Sequence, residues 1–157
     1  DNGLEDGEKY FYKVDATNSE GTSSDSNEAS AVTQLPSPSS LSAVTNSQGS
    51  IDLNWSNNDD LSDGGIDVER SPDGGSTWNS VNTGLSTSTS SYTDNSGNSG
   101  TTYSYRIERN TDHASATSNT ASSTYKTPIS IDGDQVREVT IDGEQVNSIT
   151  IDGDQVF

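Results

Sequence analysis

The chain has 157 residues, of which 25% are hydrophobic, with no Cys or Met and a formal net charge of -18 from 25 acidic and 7 basic side chains. That balance excludes the basic stripe of a nucleic-acid surface, and no apolar run approaches the ~20 residues of a membrane-spanning helix. Neither nucleic acid nor membrane insertion is expected.

So few apolar residues and so much charge would ordinarily indicate disorder. The apolar residues, however, recur at strand spacing beside the aromatics, which indicates a folded chain with a thin core. An acidic surface poor in lysine stays hydrated at very high salt, where the Debye length is ~3 Å and self-repulsion is screened. A halophilic source is the expectation, and a moderately acidic secreted protein the alternative.

Taken in chain order, Gly7-Glu8-Lys9-Tyr10-Phe11-Tyr12-Lys13-Val14 recurs as Gly100-Thr101-Thr102-Tyr103-Ser104-Tyr105-Arg106-Ile107. Ser26-Asn27-Glu28-Ala29-Ser30 recurs as Ser118-Asn119-Thr120-Ala121-Ser122. The offset of 92–93 residues is about the length of one small β-sandwich. Residues 1–34 are therefore expected to be the closing part of one domain, and residues 35–127 a complete second one. Leu35-Pro36-Ser37-Pro38 reads as a stiff extended hinge between them, because proline fixes φ and restricts its predecessor.

After the hinge come short alternating runs: Leu41 to Val44, Ile51-Asp52-Leu53-Asn54-Trp55, Ile66-Asp67-Val68-Glu69, Tyr92, and Tyr103 to Ile107. Each places apolar side chains on one face at period two between Gly/Ser/Asn/Asp turns, the pattern of an antiparallel sandwich. Ile51-x-Leu53-x-Trp55 resembles the second strand of fibronectin type III domains, with its buried Trp. Leu4-x-x-Gly7-x-x-Tyr10-x-Tyr12-x-Val14 and Gly100-x-x-Tyr103-x-Tyr105-x-Ile107 resemble that family's tyrosine-corner strand. The resemblance implies that the corner Tyr hydroxyl bonds back to upstream backbone. Gly97 stands where the first copy has Leu4, so the second corner is expected to be looser.

Three motifs invite chemistry. Ser71-Pro72-Asp73-Gly74-Gly75-Ser76-Thr77-Trp78 matches the Asp-box pattern of sialidase propellers, but it occurs once and without an arginine cluster. A structural hairpin is expected, with Asp73 accepting backbone N–H bonds, Gly74 or Gly75 at positive φ and Trp78 packed back. Asn57-Asn58-Asp59-Asp60-Leu61-Ser62-Asp63-Gly64 is dense in oxygen ligands. Counted from Asp59, however, the third position is Leu61 and the twelfth Arg70, which fails the EF-hand pattern. A solvated acidic loop is expected, with a weak cation site as the alternative. His113 is the sole histidine, expected to be exposed in a turn, so no histidine-based triad has an evident partner. No catalytic, cofactor-binding or metal-binding residue is assigned, and no enzyme is expected.

Residues 128–157 carry three ten-residue repeats centred on Asp132-Gly133, Asp142-Gly143 and Asp152-Gly153. Asp-Gly between β-branched residues favours a two-residue type I′ hairpin. With that turn at 142–143, Ile141 pairs with Glu144, Thr140 with Gln145 and Val139 with Val146. Ile131, Val136, Val139, Ile141, Val146, Ile149, Ile151 and Val156 then share one face, as the register requires. A ladder of strands this short does not stand alone, so the face is expected to be an assembly interface. Self-association into a homotrimeric prism is favoured; docking on the neighbouring sandwich or another protein is the alternative.

The expected fold is thus all-β: an antiparallel fibronectin III-like β-sandwich followed by a C-terminal short-strand β-meander or β-prism repeat. The terminal repeats resemble those ending tail and baseplate proteins of tailed viruses. With an acidic surface and sandwich modules, that resemblance implies a virion tail appendage of a virus infecting a halophilic archaeon. Its partners would be other copies, other virion structural proteins and a host surface glycan or S-layer, on the extracellular face of a virion. A cell-surface adhesin or filament component, or the accessory region of a secreted carbohydrate-active enzyme, are the alternatives.

Overall fold

A computed structural model describes residues 1–59 and 61–126, together with the backbone of four two-residue strands between 140 and 155. Every element among the described residues is a strand, and every pairing is antiparallel. Residues 39–124 form a sandwich. One sheet joins β5 (Ser39–Thr45), β6 (Ile51–Ser56) and β9 (Ser91–Asp94). The other joins β7 (Gly65–Ser71), β8 (Asn79–Leu85), β10 (Thr102–Asn110), β11 (Ser115–Thr117) and β12 (Ala121–Thr124), with β7 and β10 at its centre.

The alternation explains the layers. Ile51, Leu53 and Trp55 of β6 meet Ile66 and Val68 of β7 and Tyr103, Tyr105 and Ile107 of β10 in one buried cluster. Each fully buried Ile, Leu or Val stabilises the fold by about 1.5–3 kcal/mol. The sequence expectation missed β8, whose Val81 and Leu85 are separated by Asn82-Thr83-Gly84, and β11 and β12, whose Ser, Thr and Ala carry little apolar signal.

The sandwich is closed along one side by side chains that stand in for a ladder. Asn119 accepts from Leu41 N at 3.0 Å and donates to Leu41 O at 3.0 Å. Thr45 Oγ1 donates to Thr124 O at 2.6 Å. These bonds tie β5 to the β12 edge of the opposite sheet. Register between β5 and β6 shifts between Ser39 and Ser42, where Ser40 has φ of 57°. This is the local bend expected of a bulge.

Residues 1–34 form a smaller unit. Here β1 (Lys9–Tyr12) pairs with β4 (Ala29–Val32), and a hairpin joins β2 (Thr17–Asn18) to β3 (Gly21–Thr22). The repeat is structural as well as sequential: Tyr12 pairs with Ala29 as Tyr105 pairs with Ala121.

Residues 35–38, expected to be a stiff extended hinge, lie outside any strand and are packed. Leu35 and Pro38 are buried, and Asn58 Nδ2 donates to Ser37 O. Proline stiffness is present, but packing rather than φ restriction alone holds the segment.

In the C-terminal repeats, β13 (Thr140–Ile141) pairs with β14 (Glu144–Gln145), and β15 (Thr150–Ile151) with β16 (Asp154–Gln155). Thr140 lies opposite Gln145 and Ile141 opposite Glu144; Thr150 lies opposite Gln155 and Ile151 opposite Asp154. The pairings of Thr140 with Gln145 and of Ile141 with Glu144 are those the sequence register gives. Of the eight interface positions, Ile131, Val136, Val139, Val146, Ile149 and Val156 lie outside the described residues. For Ile141 and Ile151 only the strand placement is described.

Candidate functional site

The charged groups inside the sandwich are the places where chemistry would have to reside, and their partners show what they do. Asp94, at the end of β9, is fully buried. It accepts from Arg70 Nη1 at 2.8 Å, Tyr105 Oη at 2.9 Å, Ser96 N at 2.9 Å and Ser96 Oγ at 2.7 Å. Burial alone would raise its carboxyl pKa; the Ser96 donors and neighbouring tyrosine phenols outweigh that and hold it below the ordinary value. Burial, and then the adjacent carboxylate, push the Tyr105 phenol far up. Arg70 also stacks over the Tyr103 ring at 4.4 Å. The carboxylate is saturated by donors and pinned between the two sheets, an arrangement that fixes a corner and leaves no free base.

The second group is Arg109, only 1% exposed, on β10. Its Nε and Nη2 face Asp59 Oδ1 at 3.3 and 3.2 Å, and Nη1 donates to Asn110 O. Asp63 Oδ1 lies 3.9 Å from Nη2. The acidic loop is therefore not simply solvated: Asp59 is turned inward onto an arginine. Asn57 is engaged too, accepting from Trp55 Nε1 at 2.9 Å and donating to Thr87 O and Thr89 O at 2.9 Å. Among the described residues of the loop, the Asp59 carboxylate and the Asn57 amide oxygen are committed to protein donors.

The Asp-box segment is a built hairpin turn. Asp73 accepts from Ser71 Oγ at 2.6 Å, Thr77 N at 2.8 Å and Thr77 Oγ1 at 2.8 Å. These bonds, led by Ser71, lower the Asp73 pKa to about 2. Gly74 and Gly75 have φ of 73° and 99°, a region that L side chains rarely adopt. Trp78 packs beside Gly75, and Arg106 stacks over the Trp78 ring at 4.5 Å while pairing with Glu69 at 2.6 Å. His113 is exposed in the turn after β10; its backbone N donates to Thr111 Oγ1 at 3.2 Å.

Both tyrosine corners are formed. Tyr10 Oη accepts from Glu5 N at 2.9 Å, and Tyr103 Oη from Asn98 N at 3.3 Å. The second is the longer. The two repeats differ in cover: Tyr105 and Ile107 are 0% exposed, whereas the equivalent Tyr12 and Val14 are 36% and 71% exposed.

Two central strands, a flanking three-stranded sheet and a tyrosine corner define a fibronectin III-like β-sandwich. No known protein family matches the chain as a sequence, and no curated protein does. Among solved structures, an Fn3-like protein from Clostridium thermocellum aligns at 26% identity and a TM-score of 0.48, over 56% of this chain and 90% of that one. The FN1–FN3 domains of chicken CNTN1 align at 20% identity and 0.48, over 79% of this chain and 45% of that one. Pectate lyase PelI from Erwinia chrysanthemi aligns at 20% identity and 0.49, over 55% of this chain but only 28% of the lyase.

Proposed function

We propose that the chain is a non-catalytic structural and adhesive element, a tail appendage (baseplate, fibre or spike) on the virion of a virus infecting a halophilic archaeon. Residues 35–127 serve as a spacer module, residues 1–34 supply the closing strands of a preceding one, and residues 128–157 assemble the chain with copies of itself. The observation that carries the structural reading is the saturation of the interior charges. Asp94 and the Asp59–Arg109 pair are each consumed in fixing a loop or a sheet corner. Groups so engaged hold a shape, whereas an acid or base for catalysis must be free to exchange a proton.

The assembly part is supported by strand length. The pairs β13–β14 and β15–β16 are two residues long on each side, and isolated ribbons of that kind are marginal in water. Three ladders closing on one another would bury the shared Ile and Val face and leave no open edge. The viral setting rests on sandwich modules, acidic surface and terminal glycine-turn repeats occurring in one chain.

Light scattering on the whole chain in molar salt tests the reading. The expected mass is that of a trimer, falling to a monomer for Ile141→Asp and Ile151→Asp together. A wild-type chain that stays monomeric at every concentration overturns self-assembly and leaves docking on another protein.

A further inference from the structure

We propose that residues 1–34 and the second sandwich are coupled by a fixed joint, so that the chain presents its two parts at a single angle. This deepens the spacer reading and rests on it. Three elements meet at the joint, and each is anchored independently. The first is the corner at Gly7, which is buried at φ of 68°. Tyr10 holds this corner, and so does Thr33, whose Oγ1 donates to Glu5 O at 2.6 Å and accepts from Glu8 N at 2.9 Å. The second is the turn after β10, where Thr111 N donates to Ala114 O at 2.8 Å and Thr111 Oγ1 accepts from Ala114 N at 3.1 Å. The third is the linker, with Leu35 4% exposed and Ser37 O held by Asn58.

The elements lock together across 104 residues of sequence, where Thr111 Oγ1 donates to Gly7 O at 2.9 Å. A Cβ placed on Gly7 would lie 3.0 Å from Leu35 Cδ1 and 3.1 Å from Thr111 Cγ2. The fit is closer than almost any real side chain tolerates, so the corner, linker and turn touch without slack. Gly64, on the loop that Arg109 secures, closes the other side: a Cβ there would run into the backbone of Asn110 and Thr111. Gly100, at the equivalent corner of the second module, has φ of 76° and, among the described residues, nothing within 4 Å of where a Cβ would stand.

A joint of this kind makes two modules move as one body, because swivelling would expose Leu35 and strand a buried carbonyl. Amide residual dipolar couplings measured on the whole chain test it. One alignment tensor is expected to fit the amides of residues 1–34 and of 39–126 together. Thr111→Val and Leu35→Ser are each expected to require two tensors, and Thr111→Ser to need only one. Trp55 fluorescence reports whether a variant's second sandwich stays folded. Two independent tensors in the unaltered chain overturn the proposal, as does a single tensor kept by both Thr111→Val and Leu35→Ser. Failure of self-assembly in light scattering would leave these couplings unchanged, so the two readings fail separately.

Discussion

Tyr125 occupies the space that a side chain at position 97 would fill: a Cβ on Gly97 would overlap the Tyr125 ring. The ring also meets Tyr103 edge-on, with centroids 5.7 Å apart. In the first repeat the same two positions hold Leu4 and Thr33, so a large–small pair has been exchanged for a small–large one. Gly97→Leu is expected to overpack the corner and cost about 1–3 kcal/mol, and Tyr125→Thr to cost about 3 kcal/mol through the cavity it leaves. The double variant restores the first repeat's pairing and should cost less than the sum of the two. Urea unfolding followed by Trp55 fluorescence measures this; strict additivity would show that the positions do not share one space.

Arg109 and Asp59 form the most buried ion pair among the described residues, with side chains 1% and 5% exposed. Replacing Arg109 by Met leaves the Asp59 charge without its partner in a dry site, at an expected cost of about 3–5 kcal/mol. Arg109→Met with Asp59→Leu removes both charges and is expected to recover most of that loss. Denaturant midpoints for the single and double variants decide it, and a double variant as unstable as the single would deny the pair its role.

The apolar strands were legible in the sequence because their pattern is local. Ile51-Leu53-Trp55 and Tyr103-Tyr105-Ile107 alternate within a few residues, and both became core. The polar edges were not, since Ser and Thr in β11 and β12 mark turns as readily as strands. Asn119 stood out only as a recurrence with Asn27; its latch on Leu41 is made 78 residues away and has no local signature. The interior charges were illegible for the same reason: Arg70 finds Asp94 across 24 residues and Arg109 finds Asp59 across 50. One signal did exist. Arginine is scarce in so acidic a chain, and Arg70, Arg106 and Arg109 all fall on the paired strands β7 and β10.

The Glu69–Arg106 pair should behave differently from the buried one. Its side chains are 14% and 31% exposed, so salt reaches it. Glu69→Gln is expected to cost no more than about 1 kcal/mol at low ionic strength and nothing measurable in molar salt. The Arg109→Met penalty should persist across the same range. Unfolding curves at both salt concentrations distinguish the pairs; equal salt sensitivity would contradict their difference in burial.

Acid stability should report Asp94 and Asp73, both carboxyls with folded-state pKa values below the ordinary 3.8. The folded chain then binds fewer protons than the unfolded one in this range, so the stability these groups contribute is complete above an ordinary carboxyl pKa of about 4. It is lost as pH falls through their folded values, which for Asp73 is about 2. Asp94→Asn should lower the unfolding midpoint at neutral pH and flatten its decline below about pH 4. Because Ser71 contributes most to the Asp73 shift, Ser71→Ala should move the Asp73 carboxyl upward in an NMR titration. An unmoved Asp73 would mean that the two Thr77 donors alone hold the hairpin's charge.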